Sequence, residues 1–217
     1  EERGVNLVHF IGGRLARVVT PNQDKPSYGL YDLAKPDQFD GLLLTSDVAH
    51  GTNPEELKGF ADLFKGVPVV TQSVEIDGAS IFIPDNLEGM RVAVRHLIEE
   101  HGYKRIAFIR GIKGQLDAKQ RFQAYKDELK AHNLRYDENL VVDGDFSNES
   151  GRAAIRILLD ERKLRFQAVA AANDSMAFGA LDALQQRSVR VPDDVAVTGF
   201  DDLREAQATG VPLTTVR

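Results

Sequence analysis

The sequence predicts an α/β fold built on parallel sheets, and three observations carry that expectation. Helix and strand signals alternate along the chain with no long linker and no low-complexity stretch. The strand candidates are short, nearly continuous apolar runs, as expected of strands buried on both faces. Two such runs, in Ala168–Asp174 (AVAAAND) and Asp194–Asp202 (DVAVTGFDD), end on Asn173 with Asp174 and on Asp201 with Asp202, where carboxyl ends of parallel strands open onto a ligand. At 217 residues and 42% apolar composition the chain buries a substantial core, as one large domain or two small lobes.

Asn6–Ile11 reads as the first strand, closing on Gly12 and Gly13, and the apolar run within Phe39–Asp47 as the second. Asn53 reads as an N-cap, with Pro54 at the first helical position, Glu55 and Glu56 in the electropositive first turn, and Gly66 as the stop. Leu57, Phe60, Ala61 and Phe64 share one face of that helix. Val67–Gln72 follows as a strand.

After Pro84, either Asp85 or Asn86 caps a helix in which Met90, Val94, Leu97 and Ile98 recur at helical spacing until Gly102. Arg105–Gly111 is the next strand. A helix from about Ala118 to His132 aligns Phe122, Tyr125 and Leu129, and Asn139–Phe146 returns as a strand. Ser147 or Asn148 opens a helix that buries Ile155, Leu158 and Leu159. The run from Ala168 is a strand whose terminal Asn173 or Asp174 caps a helix bearing Ala177, Ala180, Leu181 and Leu184, and Asp194–Phe200 is the last strand.

Composition removes several function classes. The chain has no cysteine, hence no disulfide framework, thiolate nucleophile or cysteine-based zinc site, which suits a reducing cytoplasm. A net charge of −6, with acidic and basic residues interspersed, leaves no basic face for nucleic acid. No apolar run reaches the roughly 18 residues of a membrane span. No G-x-S-x-G elbow, phosphate loop, H-E-x-x-H pair or G-x-G-x-x-G fingerprint is present. His9, His50, His96, His101 and His132 show no ligand spacing, so no metal is expected, and no cofactor either. Asp143, Asp145 and Ser147 start like a calcium loop, but Asn148 stands where glycine is required and Ala154 where the bidentate glutamate belongs.

Five ordered segments carry a resemblance: IPDNLEGMRVAVRHLIEEHGYKRIAFIRG, AKQRFQAYKDEL, GDFSNESGRAAIRILL, AVAAANDSMAFGALDAL and RVPDDVAVTGFDDLREAQATGVPLTTVR. From Ile83 to Arg217 the chain resembles the effector-binding core of the lactose and galactose repressor (LacI/GalR) family, with its periplasmic-binding-protein-like (type I) fold. The first ~80 residues match only in outline. The resemblance implies two Rossmann-like lobes with parallel sheets joined by hinge crossovers, near Ile83–Asn86 and Ala206–Pro212. It divides the chain into an incomplete N-terminal lobe (1–83), a C-terminal lobe (84–208) and a return crossover (209–217), and implies segments of the family's fold beyond both ends.

Carried over residue by residue, the resemblance places the effector contacts on Asp85, Arg121, Phe146, Asn173 and Asp201. Their chemistry suits a polyhydroxylated ligand: a planar fork of donors in Arg121, carboxylate acceptors in Asp85 and Asp201, both functions in Asn173, and a flat platform in Phe146. Each also has a plainer reading. Asn173 and Asp85 are good helix caps, Asp201 and Asp202 good turn formers, Phe146 a good core residue, and Arg121 within reach of an ion pair with Asp117 or Glu128.

The expected function is ligand sensing without catalysis: a small sugar-like effector, or a nucleoside, binds between the lobes of a cytoplasmic, homodimeric transcriptional regulator. DNA is then read by a domain absent from this chain. The rival reading is a sensor module of a cytoplasmic signalling protein, a histidine kinase or diguanylate cyclase. An enzyme working on a small phosphorylated or glycosidic substrate, with Asp85 and Asp201 as paired carboxylates, is a third, although paired acids in a cleft also arise from plain hydroxyl recognition. Arg121→Ala is expected to abolish the ligand response and to leave the unliganded melting point nearly unchanged.

Overall fold

A computed structural model describes residues 4–11, 15, 29–49, 52, 54–208 and 212–217. The chain forms two compact units, Glu1–Pro84 and Asp85–Arg217. The predicted Gly12–Gly13 turn and Asn53 cap lie outside the described residues.

In the first unit, β1 (Leu42–Leu44), β2 (Val69–Gln72) and β3 (Ser80–Phe82) form a parallel sheet in the order β1-β2-β3. Between the first two strands lie a single turn, α1 (Ser46–Ala49), and the helix α2 (Pro54–Asp62). Leu44, Val48, Leu57, Phe60 and Phe64 bury together with Tyr31, as the helical spacing of the apolar residues requires. Gly66 holds a φ of +97° where the chain turns toward β2, a backbone state open to glycine.

The predicted strand at Asn6–Ile11 is corrected. Among the described residues the segment pairs with no strand, and Leu7 and Ile11 are 81% and 80% exposed. An apolar run becomes a strand only when a neighbouring backbone takes up its N–H and C=O groups. Conversely, β3 and the short α1 carried too little pattern to be predicted. Only three residues of β3 pair, and all three are exposed.

The second unit runs α3 (Asn86–Glu99), β4 (Ile106–Arg110), α4 (Leu116–Ala131), β5 (Val141–Asp143), α5 (Asn148–Arg156), β6 (Ala168–Ala171), α6 (Asp174–Gln186), β7 (Ala196–Thr198) and the short α7 (Glu205–Ala208). A π turn at Ile157–Glu161 extends α5. The four strands are all parallel in the order β5-β4-β6-β7. The order reverses beside β4, so β4 and β6 flank a topological switch point, where the ends of neighbouring loops diverge and leave room for a ligand. Every residue of β6 is fully buried, as a central parallel strand demands.

Helices cover both faces because their apolar faces were specified: Met90, Val94 and Leu97 from α3, Tyr125 and Leu129 from α4, Ile155 and Leu158 from α5 and its π turn, and Ala177, Ala180 and Leu184 from α6 all join one core. Helices α5 and α6 approach closely enough that a Cβ on Gly179 would stand 1.9 Å from the Asn148 carbonyl oxygen, and one on Gly151 2.1 Å from that of Met176. Glycine at both positions is therefore a packing requirement. The predicted strand at Asn139–Phe146 is shorter than expected, because Glu138–Leu140 forms a 3₁₀ turn before it and the pairing with β4 ends where Gly144 N–H donates to the Arg110 carbonyl. At the far edge, residues 214–216 run beside β7, with Gly199 N–H donating to Thr214 O and Asp201 N–H to Val216 O.

Candidate functional site

The carboxyl ends of β4, β5, β6 and β7 gather the polar residues. Arg121, on α4, points its side chain toward this edge and is only 5% exposed. Its Nε donates to Asn86 Oδ1 at 2.8 Å, and its Nη1 donates to the Ala172 carbonyl just past β6 at 2.6 Å and to Asp201 Oδ1 at 3.3 Å. The guanidinium lies 3.7 Å from the centre of the Phe200 ring, a cation–π contact that also stiffens the side chain. One planar fork thus joins the start of α3 to the ends of β6 and β7.

Asn86 completes the support. It is 1% exposed, and its amide donates to Asp117 Oδ1 at 2.7 Å and Gln120 Oε1 at 2.9 Å while its oxygen accepts from Arg121. Asp117 therefore reaches Arg121 through Asn86, in place of the surface ion pair considered from sequence. A guanidinium fixed in this way has already met the cost of its own ordering.

Asn173 is 8% exposed and does the cap's work: Met176 N–H donates to its Oδ1 at 2.9 Å, and its Nδ2 donates to the Phe146 carbonyl at 3.1 Å. Phe146 itself sits at φ +68°, and its ring packs on the Gly111 backbone so tightly that a Cβ there would lie 2.0 Å from the ring. Asp201 has φ +113°, an uncommon conformation for a residue with a side chain. Asp85 stands apart. Its exposed carboxylate accepts from Glu88 N–H at 3.0 Å as the N-cap of α3. The edge thus brings together Arg121 with Asp201 and Asn173 with Phe146, joined through consecutive residues Ala172 and Asn173, while Asp85 keeps a capping bond.

The electrostatics are those of a partly dehydrated pair. Asp201's side chain is still 37% exposed, yet the protein packed around its carboxyl pushes its pKa up to about 6; Arg121 opposes that rise and Asp174 adds to it. Burial also lowers the Arg121 guanidinium from its ordinary value, with Asp201 opposing. Asp174, fully buried, is raised by desolvation and opposed by its bond from Thr215 Oγ1 at 2.5 Å. It also accepts from Leu203 N–H at 2.8 Å, so it anchors the segment after β7 and the stretch beside it.

The sequence reading missed three participants: Asn86 as the link between Arg121 and Asp117, Phe200 as the surface beneath Arg121, and Asp174 as an anchor. Only the acidic cluster hinted at the last. Arg121's expected neutrality toward unliganded stability is not supported by its surroundings, since its removal strands Asn86 Oδ1 and the Ala172 carbonyl inside the protein.

Residues 94–217 match a family described as the periplasmic binding protein-like domain. The chain belongs to that family. Within it, the relatives are regulators of the lactose and galactose repressor type. The chain is 39% identical over 179 residues to the HTH-type transcriptional regulator CelR of Thermobifida fusca, covering 82% of this chain and 51% of that protein. It is 37% identical over 181 residues to the ribose operon repressor of Escherichia coli strain K12, covering 82% and 53%. Among solved structures, the CelR–cellobiose complex matches with a TM-score of 0.71 at 38% identity over 81% of this chain and 53% of that one. A LacI family regulator from Mycobacterium smegmatis matches with a TM-score of 0.73 at 31% identity over 83% and 64%. The chain spans about half the length of the curated relatives it matches.

Proposed function

We propose that this chain is the effector-binding core of a LacI-type transcriptional regulator, and that it takes a small sugar-like molecule at the carboxyl edge of the second unit's sheet. The observation that carries the reading is Arg121, buried and pre-oriented by Asn86, Phe200 and the Ala172 carbonyl beside Asp201 at the end of β7. A planar donor fork next to a carboxylate acceptor suits vicinal hydroxyls, each of which donates one hydrogen bond and accepts another. Relatives named for ribose and solved with cellobiose support a sugar over a nucleoside.

In this reading Asp201 and Arg121 hold hydroxyls, Asn173 adds an amide at the next strand end, Phe146 offers its ring as a platform, and Asp85 contributes an exposed carboxylate at the start of α3. The effector acts by binding one conformation of the core more tightly than another, which shifts their populations. The first lobe is 1–83, the second 84–208, and 209–217 the return crossover. The protein works without catalysis in the cytoplasm, as a homodimer, with DNA read by a separate domain. The chain's own charge of −6 suits it poorly to that task. Among the described residues no helix is long and apolar enough to cross a membrane.

A thermal-shift panel of monosaccharides, disaccharides and nucleosides tests the proposal. A ligand at 100 times its dissociation constant adds about 2.7 kcal/mol to native stability. The expected result is a shift with one sugar class, lost in Asp201→Ala. A shift with nucleosides alone overturns the sugar assignment, and a sugar response that survives Asp201→Ala and Arg121→Lys overturns the site.

A further inference from the structure

We propose that His96 and His101 form a two-ligand site for a borderline divalent transition cation, Zn²⁺ being the probe. Their Nε2 atoms stand 3.2 Å apart, with the ring planes at 89° and the centroids 4.8 Å apart. A zinc ion about 2.0–2.1 Å from each nitrogen closes an angle of about 100° over that separation, near the tetrahedral preference of the metal. The same borderline cations favour neutral imidazole over the hard oxygen donors that calcium and magnesium prefer.

The sequence spacing gives no hint of this, because residues five apart do not face each other on a helix. The end of α3 makes the juxtaposition. Gly102, at φ +68°, reverses the chain after the helix, donating to Ile98 O at 3.0 Å while Tyr103 N–H donates to Leu97 O at 3.1 Å. His101 is thereby folded back onto His96, and its ring is stacked on Tyr103 at 5.4 Å and 17°. His96 lies in the last turn of α3, the electronegative end of the helix dipole, which favours a cation.

The pair is exposed, so a lone N–H···N bond there competes with water, and metal displaces only that bond. Among the described residues no group of three or more potential ligands converges. The remaining coordination positions belong to water, and the ion exchanges readily.

Titration of Zn²⁺ into the chain at pH 7.5, followed through histidine side-chain ¹H–¹⁵N correlations, tests the assignment. The His96 and His101 signals are expected to move together to a one-to-one endpoint, with His132 unmoved and with no response to Mg²⁺. His101→Gln and His96→Gln are each expected to weaken binding tenfold or more with unchanged circular dichroism, and His132→Gln to leave it intact. Should His96→Gln fail to fold, the exposed His101→Gln decides. Unmoved His96 and His101 signals, or equal affinity when His96→Gln and His101→Gln are combined, overturn the site and leave a plain imidazole–imidazole hydrogen bond.

Discussion

Arg121 and Asp201 lie 80 residues apart in the chain, yet Nη1 of one stands 3.3 Å from Oδ1 of the other, at the end of the sheet where β6 and β7 stop. The pair is held from the Arg121 side. Its guanidinium has fixed partners in Asn86 and Ala172, so the carboxylate meets a donor that is already in place.

Arg121→Ala removes a buried cation from among three acceptors, and breaking such a cluster costs about 3 kcal/mol. Urea unfolding is expected to show that loss. Arg121→Lys keeps the charge but not the fork, so it should unfold later than the alanine variant while failing to respond to sugar. Equal stabilities for wild type and alanine variant refute the supporting role.

Effector affinity should depend on pH through Asp201, whose pKa is pushed up to about 6. The ionised carboxylate accepts stronger hydrogen bonds from hydroxyls than the neutral acid does, so calorimetric affinity is expected to fall as pH drops from 7 to 5 and to be flat in Asp201→Asn. For stability the sign is reversed. A carboxyl raised on folding contributes most below its ordinary value near 3.8, and that contribution is lost as pH rises through about 6.

His132 donates toward Glu99 Oε1 at 3.0 Å and lies beside the backbone of Glu128, and the bond to Glu99 raises its pKa above 6.5. Its contribution is therefore complete below pH 6.5 and fades as pH rises through the raised value. Relative to His132→Gln, the wild type should gain most at pH 5–6 and least at pH 9, as read by melting temperature.

Gly179→Ala would drive a Cβ into the Asn148 carbonyl at 1.9 Å. Backbone cannot retreat as a side chain can, so the cost is expected at about 3 kcal/mol, the upper end for overpacking. Gly41→Ala meets its nearest atom at 3.7 Å and should be close to neutral. Denaturation midpoints of the two variants compare them directly.

Capping and recognition can be separated at Asn173 and Asp85. Serine at either position still caps its helix, so stability should fall by less than about 1 kcal/mol. Asn173→Ser also loses the donor that holds the Phe146 carbonyl, and a weaker ligand response is expected. An unchanged response in Asp85→Ser would leave Asp85 as a cap alone.

Much of the second unit was legible in the sequence because its signals are local. The caps at Asp85, Ser147 and Asn173, the apolar faces of α3 and α6, and the continuous runs of β4 and β6 each depend on residues within a few positions of one another. The candidate contacts Arg121, Asn173 and Asp201 follow from a resemblance and not from periodicity, which does not mark a site. What tertiary structure alone decided is pairing. Asn6–Ile11 has strand composition but pairs with no strand among the described residues, β3 has a neighbour but almost no pattern, and Asn86, read as one of two candidate caps, is the bridge that orients Arg121. A hydrogen bond between distant residues depends on where two elements come to rest, and neither element's own sequence records that position.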